Sequence, residues 1–596
     1  MDVFEDLKEY IKVIKEPLDV NLEIAHIAYA EAKKSNPHIL LFKNPIDKKT
    51  HKKYKMPVLM NLFANEEVVG KIFGNHPDLI AKKIEKALKI TPAQTVKDKL
   101  EMFKFLLDMR KIFPQRTTKK GICQQVEIKG LNELPTLKTW QKDGGKFITM
   151  GQVYTKSLDN KEHNVGMYRL QVFDDKTLGM HWQIHKDAAG FFNMYKKANK
   201  KMPVTIAIGG DPLYSWCATA PLPRGVFELL LYGFIRNQNP KLVKSLTNDI
   251  FIPEDADIVI EGFVDPNKER IEGKFGDHTG YYTHKEPYPF LEVTKITSKK
   301  EPVFYATVVG KPPLEDKYMG WATERIFLPL IKMQSPNLLD YKMPENGVFH
   351  NLILCKIAPQ YPGHSLQIMH SLWGSGQMSF VKHAVFVDKK APPLAKYKDL
   401  AVYVLNRLSK ERILISKGIV DALDHSSYEP LVGGKLGIDA TGSVVDRKIR
   451  LIDDNRLLEK IERADESVSG LKQYCINSSN PITVVALRKN KPAKKIFDKI
   501  KNLYKFISIV VFVDKEDNDL NNPYMLIWRI TNNIDAQKDV WIEEIIGVDA
   551  TKKTEKDGFG REWPEDVVCD RDIIYDLRDR KLIDLSEEEI KKFQLI

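Results

Sequence analysis

Two short stretches of this chain gather the residue types that hold cations and move protons. The first, NVGMYRLQVFDDKTLGMHWQIHKDAAGFF over residues 164–192, sets Asn164, Arg169, His181 and His185 among apolar and aromatic neighbours. Glu228 belongs with them by type: in GVFELLLYGFIRN it stands among Phe227, Leu229, Leu230 and Leu231, where a carboxylate needs a counter-charge, a hydrogen-bond donor or a metal. An amide oxygen, an imidazole and a carboxylate suit manganese or magnesium better than zinc, which takes more nitrogen or sulfur. A satisfied polar cluster, with Glu228 simply favouring a helix N-terminus, accounts for the same residues. Asn164 and Arg169 are an odd number of positions apart, so a regular strand points them to opposite faces. Either Gly166 marks a bulge that re-aims one of them, or the two address different ends of one ligand.

The second stretch, ERIEGKFGDHTGYYT over residues 269–283, separates Glu272 from Asp277 by a loop containing Gly273 and Gly276 and closes on a histidine and two tyrosines. Acid–base chemistry needs carboxyl groups whose pKa values are moved by burial or by a neighbour, and an aromatic-lined loop beside an arginine can supply both. The competing reading is a glycine-rich surface turn with solvated acids.

The elements that must position these groups change texture along the chain. Residues 1–115 alternate helical and strand-like segments, and in DLIAKKIEKALK the apolar residues Ile80, Ile84, Ala87 and Leu88 fall at helical spacing behind a cap at Asp78. An α/β domain follows. Residues 116–312 break into short β-branched and aromatic runs, KFITMGQVYT, NVGMYRLQVF, MPVTIAIGGDP, DIVIEGFV, FLEVTKIT and PVFYATVVG, which predict a barrel or sandwich interrupted by the helix around Glu228. The α/β pattern returns in a domain at 313–480 and an extension at 481–596. Here AVFVDKKAPPLAKYKDLAVYVLNRL, closing on GGKLGIDAT, is echoed by VVFVDKEDNDLNNPYMLIWRIT, closing on IIGVDAT, as expected of a duplicated α/β unit. Only the first copy carries Gly433, Gly434 and Lys435, so it is the expected functional copy, and the second a structural or oligomer-forming extension.

Bulk properties narrow the function classes. A chain of 596 residues with 43% apolar content is globular and too long for one core. The five cysteines have no Cys-x-x-Cys spacing, which argues against a zinc ribbon or a disulfide framework and fits a reducing cytosol. The start MDVFEDLKEY lacks the order of a signal peptide, and FELLLYGFI is too short to span a bilayer. A net charge of +12 raises nucleic acid or an anionic membrane as partners, but runs such as KNPIDKKTHKKYK read equally as solvated faces. No Walker A loop, G-x-G-x-x-G after a strand, His-Glu-x-x-His or G-x-S-x-G elbow is present.

Taken in order, NVGMYRLQVFDDKTLGMHWQIHKD, EGKFGDHTGYYT and GGKLGIDAT resemble the UbiD family of prenylated-FMN-dependent decarboxylases, over about residues 5–450. ITMGQVYT, AIGGDPLY, KPPLEDKYMGWATERIFLPL and DALDHSS look like the menaquinone-biosynthesis members of the futalosine route. The resemblance implies a central split β-barrel of the flavin reductase-like kind between α/β domains. It implies Asn164, His185 and Glu228 as ligands of Mn2+ or Mg2+, with a K+ ion near the cofactor phosphate. Prenylated FMN would be held by Met167, Tyr168, Arg169, Leu170, His181, Trp182, Gln183, Lys186 and Asp187, with Lys435 at its phosphate. Arg169, Glu272 and Asp277 would form the catalytic set, the two acids unranked. This sequence has Lys274 where many relatives have proline, which alters loop stiffness and removes no catalytic group.

The implied reaction is non-oxidative loss of the ring carboxylate of a prenylated 1,4-dihydroxy-6-naphthoate-type acid. The alternative substrates are a 4-hydroxy-3-polyprenylbenzoate or another aromatic acid. A carbanion on an aromatic ring has no side chain to stabilise it, so the cofactor is the electron sink. The expected partners are the small aromatic acid, a flavin prenyltransferase that supplies the cofactor, and further copies of the chain in a homo-oligomer, with no nucleic acid. The expected location is cytoplasmic, with transient docking at the inner membrane face to collect a prenylated substrate.

Overall fold

The computed structural model describes residues 3–89 and 108–596, so part of the domain expected at 1–115 lies outside the described residues. Two compact units emerge. One comprises residues 1–326 with 566–590 and 595–596, the other residues 327–565 with 591–594.

The first unit opens with a mixed sheet. Ile11–Asp19 runs parallel to Ile39–Asp47, which pairs antiparallel with Val58–Met60 and with the short Lys52–Lys53. Phe304–Tyr305 completes this sheet parallel to Val58–Leu59. PVFYATVVG was expected among the barrel strands. Only its two aromatic residues are strand, and they are buried against the N-terminal sheet instead. The helix Pro77–Leu88 also starts two positions earlier than the cap expected at Asp78 would place it. His76 accepts from Asp78 N as the cap, and Pro77 takes the first helical position, where its missing N–H costs nothing. Of its apolar residues Ile80 is buried, while Leu88 is exposed.

The barrel is a closed ring of six antiparallel strands in the order Ile258–Glu272, Met202–Ile208, Lys146–Lys156, His163–Asp174, Thr177–Gly179 and Glu286–Ser298, with the last returning to Ile258–Glu272. Val126–Ile128 adds to Glu286–Ser298 outside the ring. Closure leaves no edge within the ring, and it explains why Met202–Ile208 is buried at every position: one face lines the interior and the other is covered. Beside the barrel, Asp187–Lys197 and Glu228–Arg236 are helices.

Gly166 does not mark a bulge. It sits in regular register opposite Val153, and an added Cβ there would fall 2.4 Å from the Tyr168 ring, so glycine is needed to admit that ring. The irregularity is on the partner strand, between Ile148 and Gly151, where an extra residue faces Arg169.

The second unit holds two five-stranded sheets. Leu338–Lys342, Leu352–Ile357, His383–Val387, Val432–Ala440 and Ile413–Ile419 form the first in that spatial order. Val468–Tyr474, Ile482–Leu487, Ile509–Asp514, Ile546–Asp549 and Val540–Ile542 form the second. Both have antiparallel outer pairs and parallel inner pairs, and in both the closing Asp-Ala-Thr folds identically: Asp439 accepts from Thr441 N at 2.9 Å, and Asp549 from Thr551 N at 2.9 Å. Among the described residues no helix is long and apolar enough to cross a membrane.

Candidate active site

Arg169 points out of the barrel strand His163–Asp174 into a cluster built by one hairpin. That hairpin, Gly273–Thr283, leaves the end of the long strand Ile258–Glu272. Thr283 N donates to Phe275 O and Asp277 N to Tyr281 O, and the turn closes through Gly280 N to Asp277 O at 2.9 Å. Gly280 has φ of 85°, which a side chain would strain. The strand end supplies Glu272 and the hairpin supplies Asp277. Arg169 Nε and Nη2 donate to the same oxygen of Glu272, at 3.2 and 2.8 Å, while Nη1 donates to Asp277. The reading of this loop as a solvated turn is thereby overturned: Glu272 is 0% and Asp277 7% exposed.

His181 joins the same carboxylate, its Nδ1 lying 2.9 Å from the Glu272 oxygen that Arg169 uses. Burial lowers the pKa of His181 and the nearby guanidinium lowers it further, so the ring is neutral and donates from Nδ1. Burial works against the charge on Glu272, but Arg169 and the His181 hydrogen bond outweigh it and hold the carboxyl below its ordinary range. Asp277 is also buried, and its bonds from His278 together with Arg169 depress it well below the usual carboxylate range. Arg169 stacks over Phe275, its guanidinium carbon 5.0 Å from the ring centroid. The resting site thus holds two ionised acids on one cation, with a neutral imidazole beside them.

Asn164, on the same strand as Arg169, meets a different carboxylate. Its amide nitrogen donates to one oxygen of Glu228 at 2.8 Å, and Val165 N donates to the other at 2.8 Å. Glu228 is the first residue of its helix and is 6% exposed. Burial raises its pKa to about 7 against these hydrogen bonds. Asn164 and Arg169 therefore serve two separate acid clusters, as an odd spacing gives on a strand with no bulge of its own between them. The buried amide oxygen and carboxylate side by side fit the hard-oxygen part of a divalent cation's donor set. Both ring nitrogens of His185 are buried. Among the described residues no group of three His, Cys, Asp or Glu side chains forms a metal cluster.

The other flavin candidates divide between the strand and the connection that follows. Tyr168 and Leu170 flank Arg169, and Met167 N donates to Ala218 O at 2.9 Å. Trp182 and Gln183 lie beyond Thr177–Gly179, Lys186 is the N-cap residue of the helix Asp187–Lys197, and Asp187 opens it. Within the protein, Glu272 Oε1, His181 Nε2 and Trp182 Nε1 are buried without a hydrogen-bond partner. Buried polar atoms of this kind are costly unless a ligand completes them. The acceptor pair of Glu272 Oε1 and His181 Nε2 beside Arg169 fits a polar heteroaromatic ring that donates to it. Lys435 belongs to the second unit, where its ammonium donates to Ser379 O and Val381 O, and burial lowers its pKa to about 7.

Several supporting residues escaped the sequence reading. Asp143 is buried and grips Trp140 N and Thr139 N with one oxygen and Gly276 N, at 2.9 Å, with the other. Gln171 receives Gly273 N at 2.8 Å. Asp143 had a local signal in TWQKDGG, where Thr139 and Asp143 are placed to form a closed turn. Gln171 had none.

Family models match three consecutive parts of the chain: the N-terminal domain of 3-octaprenyl-4-hydroxybenzoate carboxy-lyase at residues 6–88, its Rift-related domain at 115–312, and its C-terminal domain at 317–440. An uncharacterized protein of Helicobacter pylori strain J99 is 50% identical over 605 residues, covering 100% of this chain and 98% of its own. One of Aquifex aeolicus is 42% identical over 453 residues, 74% of this chain and 92% of its own. The fold is shared with the closed form of vanillic acid decarboxylase from Sedimentibacter hydroxybenzoicus, at TM-score 0.64 and 21% identity, covering 78% of this chain and 98% of that one. It is shared also with the UbiD-class enzyme HmfF from Pelotomaculum thermopropionicum in complex with prFMN, at TM-score 0.60 and 22% identity, covering 75% and 95%.

Proposed function

Because the chain belongs to the UbiD family of carboxy-lyases, we propose that this decarboxylase works on an aromatic acid with prenylated FMN and a divalent cation. The observation that carries the proposal is Arg169 held between the buried carboxylates of Glu272 and Asp277. Prenylated FMN supplies the electron sink that the ring carbon needs when carbon dioxide departs. Met167 to Leu170, His181 to Gln183, Lys186 and Asp187 would hold it.

The chain's own residues handle charge and proton. An incoming substrate carboxylate competes with Glu272 for Arg169, whose five N–H groups allow both to be met only in part. As the guanidinium turns to the substrate, Glu272 loses its main counter-charge, burial dominates, and it takes up from solvent the one proton that the reaction consumes. Carbon dioxide then leaves with the C–C electron pair retained on the ring side, Glu272 gives its proton to that carbon, and its carboxylate recaptures Arg169. Asp277 keeps Arg169 in place throughout or shares the proton transfer.

The substrate we assign is a prenylated 1,4-dihydroxy-6-naphthoate-type acid of menaquinone biosynthesis, on the support of ITMGQVYT, AIGGDPLY and DALDHSS. The reconstituted holoenzyme is expected to release carbon dioxide from naphthoate acids and to leave 4-hydroxy-3-polyprenylbenzoates largely untouched. The reverse preference would overturn the assignment. A flavin prenyltransferase supplies the cofactor, and a homo-oligomer is the working form.

Manganese is assigned to Asn164, His185 and Glu228. Glu228→Gln removes the anionic oxygen and is expected to lower bound manganese and retained flavin together, read by metal analysis and visible absorbance. Loss of neither would move the cation elsewhere.

A further inference from the structure

The segment after the second unit returns to the first and lies along the catalytic hairpin. Over residues 567–569 its side chains alternate buried, exposed, buried, which is extended strand behaviour. Asp566 forms an antiparallel bridge with Tyr281, and Val567 N donates to Gly280 O at 2.9 Å. Gly280 is the last residue of the turn closed on Asp277, and Tyr281 is the one that follows it. The segment is anchored on its other side: Asp566 pairs with Lys311 at 3.3 Å, Asp570 N donates to His26 Nε2 at 3.0 Å, and Asp570 accepts from Gln141 at 2.9 Å.

Val567 is fully buried against the base of the hairpin. A Cβ on Gly276 would stand 2.6 Å from Val567 Cγ1 and 2.2 Å from Trp140 Cδ1, and one on Gly310 would stand 3.3 Å from Val567 Cγ2 and 2.7 Å from Trp140. Two glycines are thus cut away to admit one indole and one isopropyl group. Asp143 already fixes Gly276 N from the barrel side, so the hairpin is gripped at its base by Asp143 and along its returning arm by the C-terminal segment.

We propose that residues 566–570 are a positioning strap for the catalytic hairpin, with Val567 its central residue: the strap sets where Asp277 stands, and through Asp277 the aim of Arg169. This rests on the reading above that places Glu272 and Asp277 in the reacting site. The strap touches no reacting atom, so its signature is a loss of turnover with substrate binding kept. It also gives the C-terminal part of the chain a role in the reaction, where sequence had suggested only structure or assembly.

The test uses the flavin-loaded full chain. Val567→Ala shortens the packed side chain and leaves the backbone pairing available. It is expected to lower kcat about tenfold or more, since small misplacements of reacting groups are expensive, with KM within about twofold. Hydrogen exchange should rise in peptides covering residues 275–283. Ile574→Ala, in the next helix, removes a buried side chain of the same C-terminal segment and should leave the hairpin's exchange unchanged. An unchanged kcat in Val567→Ala, or equal losses in both variants without local exchange, would overturn the strap. Should Val567→Ala not fold, exchange in the unaltered enzyme decides: the amides of residues 566–568 and 275–283 are expected to open together, and separate openings count against the proposal. Failure of the underlying reading looks different, because turnover would then survive loss of the Glu272 carboxyl.

Discussion

Glu272→Gln is expected to yield a protein that retains flavin and releases carbon dioxide at least about 10³-fold more slowly, within the range that removal of a general acid produces. Glutamine preserves the volume of the side chain and still offers an oxygen to Arg169 and His181, so the hairpin and strand should stay in place. What it lacks is a transferable proton. The measurement is carbon dioxide release under saturating substrate, with deuterium incorporation at the vacated ring carbon in D2O. Asp277→Asn is the necessary companion. If Asp277→Asn stops turnover and Glu272→Gln does not, the two acids exchange roles. The geometry favours Glu272 as donor because it is the one contacted by both Arg169 and His181, and because its second oxygen is buried and free of protein partners.

Arg169→Met is expected to cost activity and also to reverse the sign of a pH dependence. In the unaltered protein both carboxyls are held below their ordinary values. Their ionisation therefore contributes stability that is fully present above about pH 4 to 5, the unfolded range, and is lost as pH falls through the depressed folded values. Without the guanidinium, Glu272 keeps only the hydrogen bond of neutral His181 and Asp277 only its bonds from His278, and neither buried carboxylate retains its counter-charge on Arg169. Burial then raises their pKa values, and a raised acid destabilises the fold as pH climbs through it. Breaking a buried ion pair typically costs about 3–5 kcal/mol. The difference in melting temperature between the two proteins should accordingly be largest near pH 8 and shrink toward pH 5. A difference independent of pH would show that Glu272 and Asp277 do not depend on Arg169 for their charge.

How much of this was legible in advance varies with the range of the interaction. Lys146–Lys156, His163–Asp174 and Met202–Ile208 could be read as strands because β-branched and aromatic residues packed on a pleated surface leave a local trace. The repeat ending in Asp-Ala-Thr was likewise visible, since each copy carries its own turn chemistry. PVFYATVVG misled for the opposite reason: its composition suits any buried strand, and which sheet takes it depends on partners elsewhere in the chain. Gly166 misled because a glycine required by a neighbouring ring looks the same in sequence as one required by a bulge.

The chemistry available could be read from the residues alone: which acids, which cation and which amide exist. That Asn164 and Arg169 face apart followed only once Gly166 was found in regular register. Only the tertiary structure decided their company. Arg169 reaches Glu272 across 103 positions and Asp277 across 108 because the ring of strands closes in an order that differs from the order of the chain. The same holds for Val567, which reaches Gly276 only after a whole second unit has intervened. Such meetings are set by the summed burial of many side chains rather than by local preference, so no short stretch records them.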